Sequence, residues 1–175
     1  MDSDAGNVAI DPNLQIHTWL NHMPITEQYP AADVRGANAN SWTTAERTWG
    51  PNDADNQENT YDQVGIMSGN SAFGRPRDIG DGHTLTYNLD GEFSRFIGTI
   101  AVHCRSHNSN RNNQIRFIAD GQVIYTSPIV TGNTAPIPFN VDVTGVSTLT
   151  IERVALTQAQ AANVEIGIVN AGFAK

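Results

Sequence analysis

The chain has 175 residues, a length typical of one domain with a sizeable hydrophobic core. Ten basic against eighteen acidic side chains give a net charge of −8, which argues against a binder of nucleic-acid backbones. No apolar run approaches the roughly 18 residues of a membrane-spanning helix, which excludes membrane insertion. The single cysteine, Cys104, excludes an internal disulfide, and no Cys/His spacing indicates a zinc site.

The pattern of polar and apolar residues changes near residue 83. Residues 1–82 are polar, irregular and rich in Asn, Asp, Gly and Ala, with a short strand predicted within 14–19. Over 83–173 apolar and polar residues alternate, for example at Leu85, Tyr87 and Leu89, which is typical of half-buried strands. Several short strands at regular spacing predict an all-β antiparallel sandwich or barrel, in one domain over 1–175.

Glycine-containing tight turns alternate along the chain with longer polar connections. The turns are predicted at 90–91, 120–121 and 144–145. The long connections are predicted at 69–82, 104–113, 128–135 and 155–162. Because successive antiparallel strands reverse direction, we expect the four long connections to share one end of the sandwich, the loop end. The tight turns should share the opposite turn end. Long loops on a rigid scaffold commonly carry function.

Three segments, 87–102, 117–127 and 136–149, resemble the NPCBM modules, a group of carbohydrate-binding modules placed with family 51. The resemblance implies a galactose-binding-like jelly roll, binding of galactosides and a neighbouring glycosidase domain. It also favours a secreted protein, although the N-terminus carries no signal peptide. The chain departs from the family near its end: an acidic and a tryptophan position are Gly167 and Ile168 here, while Asn170-Ala171 matches.

Sugar recognition needs an aromatic face and fixed polar donors. Trp42 and Trp49 lie in the polar first part of the chain and are candidate platforms, although each would also suit a plug at one end of the sandwich. The predicted loop face supplies donors for hydroxyls and carboxylates, or else a solvated basic surface. These candidate ligand-binding residues are Arg75, Arg77, His103, Arg105, His107, Asn108 and Arg111.

Closely spaced oxygen donors occur at residues 52–58. Asp53, Asp55 and Glu58 are the candidate ligands of one structural calcium ion, which jelly rolls of this type often hold. The stretch lacks the glycine and the later bidentate glutamate of a helix-loop-helix calcium site, so a plain turn is the simpler interpretation.

Catalysis has little support in the sequence. Cys104 follows His103, but neighbours on a strand point to opposite faces. Glu92, Glu152 and Glu165 offer carboxylates without any sign that two of them share a cleft. The chain is therefore predicted to have no enzymatic activity.

The favoured function is a carbohydrate-binding module or lectin that recognises a galactoside or an acidic sugar through its loop end, beside a tethered glycosidase or a protein partner. The alternative is a structural or protein-interaction module on the same jelly roll. The departures at Gly167 and Ile168 favour it, and an exposed apolar patch away from the loop end would do so too. A glycoside-active enzyme is a third, weaker interpretation.

Overall fold

The computed structural model describes residues 16–29, 42–44, 66–68, 83–102, 112–156 and 166–175. Within these ranges the chain forms short to medium strands and one 3₁₀ turn, Leu20–His22. In chain order the strands are β1 Thr18–Trp19, β2 Ile25–Tyr29, β3 Trp42–Thr44, β4 Ile66–Ser68, β5 His83–Asn88, β6 Arg95–Val102, β7 Asn113–Ala119, β8 Gln122–Thr126, β9 Ile137–Asp142, β10 Thr148–Ala155 and β11 Ile166–Ala174.

The strands form two antiparallel sheets. Sheet A has the order β3-β4-β11-β6-β9, with β1 also paired to β11, and sheet B has the order β2-β5-β10-β7-β8. Strands from the irregular first part of the sequence pair with strands of the regular part: β1 and β4 with β11, and β2 with β5. The predicted antiparallel β-sandwich is confirmed.

The core lies between the sheets, and its centre is aromatic. Buried and partly exposed residues alternate along β7, so Ile115, Phe117 and Ala119 face sheet A. The ring centroid of Phe117 lies 4.9 Å from that of Phe96 and 4.8 Å from that of Phe139, both in sheet A. A fully buried phenylalanine contributes about 1.5–3 kcal/mol relative to an exposed one. The aromatic cluster therefore joins the two sheets.

The tight turns are joined to one another by hydrogen bonds. Asp120 and Gly121 have φ of 47° and 83°, the conformation of a two-residue type I′ turn between β7 and β8. The Asp120 carboxylate accepts hydrogen bonds from the backbone amides of Ser147, at 3.1 Å, and Thr148, at 2.9 Å. The Ser147 carbonyl accepts one from the amide of Leu89 at 2.7 Å. The turn end is thus a single hydrogen-bonded unit.

The first described segment crosses from sheet A to sheet B. The sequence predicts a strand within 14–19 and a buried Trp19; in the structure Trp19 is only half-buried, and Leu20 is fully buried. Trp19 lies opposite Gly172 of β11, whose neighbour Phe173 points into the core, so the register places Trp19 on the outer face. The next residue, Leu20, turns inward between the sheets. No helix among the described residues has the length and apolarity needed to cross a membrane.

Candidate functional site

The strand register brings the ends of the long connections together. In sheet A, Ser68 and Val102 both pair with Ile166, so the end of β4, the end of β6 and the start of β11 lie side by side. In sheet B, His83 and Ile115 both pair with Arg153, near the starts of β5 and β7 and the end of β10. The residues that flank connections 69–82, 103–112, 127–136 and 156–165 therefore share one end, which confirms the predicted loop end.

The candidate ligand-binding residues relate to this end in three ways. Trp42 pairs with Ser68 in β3, which places its backbone at the loop end. Seven candidates lie outside the described residues, on connections whose flanking residues are at the loop end: Arg75, Arg77, His103, Arg105, His107, Asn108 and Arg111. Trp49 also lies outside the described residues, on connection 45–65, which leaves β3 and enters β4 on the side facing the turn end.

The candidate calcium ligands Asp53, Asp55 and Glu58 lie on connection 45–65, outside the described residues. Within the described ranges, no group of three or more His, Cys, Asp or Glu side chains is arranged to hold a metal ion.

A buried arginine at the loop end is a feature that the sequence analysis missed. Arg153 pairs with Ile115, a core residue, and therefore faces between the sheets with only 2% of its surface exposed. Its Nε and Nη2 atoms both donate to Oδ1 of Asn113, each at 3.2 Å, and Asn113 is fully buried. The signal was present in the sequence, since Leu149, Ile151 and Arg153 occupy successive inward positions of β10.

Asn112 and Asn113 connect three of the long connections through their backbone. The Leu156 amide donates to the Asn112 carbonyl at 2.8 Å, which fixes the start of connection 156–165. The Asn113 amide donates to the Val130 carbonyl at 2.9 Å, and the Val130 amide donates back at 2.7 Å. Connection 103–112 ends at these same asparagines, so we name Asn112 and Asn113 the loop-end hub.

Connection 127–136 is the one long connection whose residues all lie within the described ranges. The Thr131 amide donates to Oγ1 of Thr134 at 2.8 Å, and the Thr134 amide donates to the Thr131 carbonyl at 3.2 Å, which closes a short turn. Asn133 at its tip is exposed, as is the aliphatic side chain of Ile129. The connection therefore presents amide, hydroxyl and aliphatic groups, which suit the polar and apolar faces of a sugar.

Described acidic residues concentrate at the opposite end. Asp90, Glu92, Asp120 and Asp142 are all exposed at the turn end. The Thr144 hydroxyl and amide, and to a lesser extent the Arg95 guanidinium, lower the pKa of Asp142 from its ordinary value. By contrast, residues 103–111 contain two arginines, two histidines and no acidic residue. Acidic groups thus mark the turn end, whereas a basic segment is attached at the loop end.

One ion pair lies on sheet B within the described ranges. Arg116 and Glu152 lie directly opposite in β7 and β10, on the outer face, and form an ion pair in which Glu152 is buried. The pair lies next to the Arg153–Ile115 pair but on the opposite face of the sheet, and each charge is compensated by the other.

Comparison with known proteins gives a consistent picture. The sequence model of the NPCBM/NEW2 domain family matches residues 35–164. No curated protein matches the chain. The similar solved structures include family 51 carbohydrate-binding modules (CBM51) and support the jelly-roll assignment.

Three of these structures show the extent of the structural similarity. CBM51-2 with the INT domains of Clostridium perfringens ZmpB has a TM-score of 0.65 at 12% identity, over 90% of this chain and 31% of that one. The CBM51 of Clostridium perfringens GH95, in complex with methyl-galactose, has a TM-score of 0.61 at 12% identity, over 87% of this chain and 97% of that one. The tandem CBM51 modules of Sp3GH98, a family 98 glycoside hydrolase of Streptococcus pneumoniae, have a TM-score of 0.63 at 14% identity, over 90% and 47%. The chain thus spans about a third of the ZmpB structure, and at these identities the likeness concerns the fold.

Proposed function

The chain belongs to the NPCBM/NEW2 domain family of non-catalytic carbohydrate-binding modules, and from that premise we propose that it binds a glycan at its loop end. The observation that carries the proposal is the register at Ser68, Ile166 and Val102, which gathers the flanks of the long connections at one end. The matched region, 35–164, includes three of those four connections in full and most of the fourth.

Recognition is proposed to be shallow and additive. Trp42 offers the aromatic face for the apolar side of a pyranose, and the arginine, histidine and asparagine side chains of connections 69–82 and 103–112 donate to its hydroxyls. Asn133 and Thr134 on connection 127–136 add neutral donors. A single shallow site of this kind binds weakly, so attachment to an enzyme or a second module would raise the effective affinity.

The sugar class is proposed from two sources. The GH95 module in complex with methyl-galactose supports a galactoside, and the ZmpB module was solved with GlcNAc. The basic composition of residues 103–111 supports an acidic sugar as the other candidate, because guanidinium groups pair well with carboxylates. A tethered glycosidase is the proposed partner, as in the GH95 and GH98 proteins, and such a role implies a location outside the cell.

The described surface favours a glycan over a protein partner. The exposed large apolar residues among the described ranges are Ile25, Val123, Ile129 and Leu156. Ile25 and Val123 lie on opposite edges of sheet B, in β2 and β8, whereas Ile129 and Leu156 lie at the loop end. Scattered single apolar residues are ordinary on a protein surface. A protein-binding face away from the loop end therefore gains no support from these residues.

A glycan array tests the proposal directly. The whole chain is applied with calcium and again with a chelator, over neutral and acidic glycans. We expect selective binding, lost in Trp42→Ala and Arg105→Ala and retained in Trp19→Ala, a matched tryptophan removal far from the loop end. Loss of binding on chelation would support the calcium site at Asp53, Asp55 and Glu58. No binding by a folded wild-type chain would refute the proposal and favour a protein partner.

A further inference from the structure

Within the described ranges, an arginine contacts an asparagine near each end of the sandwich. At the loop end, Nε and Nη2 of Arg153 donate to Oδ1 of Asn113. At the turn end, Nε of Arg95 donates to Oδ1 of Asn140 at 2.7 Å, and its Nη2 donates to the Asn140 carbonyl at 2.8 Å. Both contacts join a guanidinium to the Oδ1 atom of an asparagine, although Arg95 also donates to a backbone carbonyl, and of the two only the Arg153 contact involves the hub.

Arg153 occupies a position where an apolar residue would ordinarily lie. Its neighbours at inward positions of β10 are Leu149 and Ile151, both fully buried. Removing a charged group from water is costly, so a buried arginine is rare unless its donors are satisfied. The planar guanidinium can hold one acceptor with two donors, which fixes the orientation of that acceptor more tightly than an ammonium group would.

The acceptor held in this way is the side chain of a hub residue. Asn113 pairs through its backbone with Val130 of connection 127–136, and the adjacent Asn112 accepts from the amide of Leu156. Arg153 lies near the end of β10, three residues before Leu156, which is the first residue after that strand. One guanidinium therefore connects the end of connection 103–112 with the start of connection 156–165, and through Val130 with connection 127–136.

We propose that Arg153 is a positioning residue for ligand binding: by holding the side chain of Asn113, it fixes the hub at which connections 103–112 and 156–165 meet the sandwich and to which Val130 is paired. This inference rests on the proposed function. A preorganised binding site loses less conformational entropy when the ligand binds. Supporting contacts behind the site determine how accurately the ligand-binding side chains are placed. Arg153 acts through the hub and does not itself contact the glycan.

The test compares Arg153→Met and Arg153→Lys with Arg95→Met in the whole chain. Arg153→Met removes the donors and keeps much of the side-chain volume, and Arg153→Lys keeps the charge without the two-donor fork. Arg95→Met removes the equivalent contact at the turn end. Affinity for methyl-galactose and for the best glycan of the array is measured well below each variant's Tm, and hydrogen–deuterium exchange is followed peptide by peptide without ligand.

We expect Arg153→Met to weaken glycan binding by about tenfold, as residues that act through others commonly do. Arg153→Lys should lie between it and the wild type. Arg95→Met should change affinity by less than about twofold, because distant sites act independently. Exchange should rise in peptides that cover 103–112 and 156–165 in the Arg153 variants only.

The outcomes separate this inference from the proposed function. If the wild type binds glycans and both methionine variants lose affinity equally, Arg153 is a general structural residue and the inference is overturned. Equal exchange in the two methionine variants overturns it as well, whether or not any glycan binds. If the wild type binds no glycan, the proposed function fails, while the exchange comparison still decides whether Arg153 positions the connections.

Discussion

Gly98 of β6 packs against β11 more closely than any side chain allows. A Cβ atom at this position would lie 2.6 Å from Cβ and 2.9 Å from Cα of Ala171, and 2.8 Å from Cζ of Phe139. Non-bonded carbon atoms are most stable at about 3.5–4.0 Å. The substitution Gly98→Ala must therefore separate the two central strands of sheet A or displace Phe139 from the aromatic core.

The loss of stability in Gly98→Ala depends on the atoms that the added methyl group would contact. Overpacking a core costs about 1–3 kcal/mol, and we expect the upper value, about 3 kcal/mol, because the obstacles are backbone and a buried ring. For a chain of this size that corresponds to a fall in Tm of about 6–12 °C. Thermal unfolding followed by circular dichroism and urea unfolding both measure this effect.

A double-mutant cycle identifies the contact responsible. Ala171→Gly removes the nearest carbon atom, so Gly98→Ala should cost less in that background, with a coupling of about 1 kcal/mol. If Gly98→Ala alone changes the free energy of unfolding by less than about 0.5 kcal/mol, the close approach of β6 and β11 is wrong. The central position of β11 in sheet A would then need revision.

Three further predictions concern single polar groups. The buried hydroxyl of Tyr87 has no hydrogen-bond partner among the described residues, so Tyr87→Phe should raise the free energy of unfolding by about 1 kcal/mol in urea titrations, and a loss would contradict the unpaired hydroxyl. Asp120→Ala removes the acceptor of two backbone amides, so the free energy of unfolding in urea should fall by about 1–3 kcal/mol and Tm should fall with it. Glycan affinity should not change. The pKa of Asp142 is lowered in the folded state, so its contribution is present above the unfolded-state pKa and is lost as pH falls through the folded-state pKa. Asp142→Asn should therefore lose less stability than the wild type between about pH 5 and pH 2, by a small amount because the group is exposed, and identical acid profiles would contradict this.

The regular strands were predictable because alternation is a local signal. Leu85, Tyr87 and Leu89 predicted the inward face of β5 and the turn that follows it, as the structure has them. In β11 the alternation breaks: Ile168 and Ala171 both face the core, because Asn170, with φ of 48°, forms a bulge between them. The alternation predicted over 83–173 therefore fails after Ile168 although β11 continues to Ala174, since a bulge shifts the phase of the pattern.

The bulge also gives a structural role to the pair that the chain shares with its family. Asn170 adopts the left-handed conformation that asparagine tolerates better than most residues, and Ala171 is small enough to lie against Gly98. Asn170-Ala171 is therefore explained by the packing of β11 against β6 without any contact to a sugar. A match at these residues indicates the fold, and it carries no information about the ligand.

The candidate site was harder to predict because its contacts are non-local. The ends of the long connections could be assigned to one end from strand parity, but no pattern in the sequence indicates which connections touch. Arg153 and Asn113 are forty residues apart, and a charged residue in an alternating strand is normally assigned to the solvent side. The alternation of Leu149, Ile151 and Arg153 indicates an inward arginine, but its contact with Asn113 follows only from the pairing of β10 with β7.

The two ends of the sandwich are therefore built for different purposes. At the turn end, Asp120 joins two turns through backbone amides, and the residues that hold the sheets together, such as Gly98 and Phe139, do not reach the loop end. Substitutions at Asp120, Gly98 and Phe139 should change the stability of the fold and leave glycan affinity unchanged. Arg153 is different because its guanidinium lies inside the sandwich while its acceptor belongs to the hub. It is consequently the described residue at which stability and glycan affinity are expected to fall together, and the Arg95 variant provides the reference for separating the two.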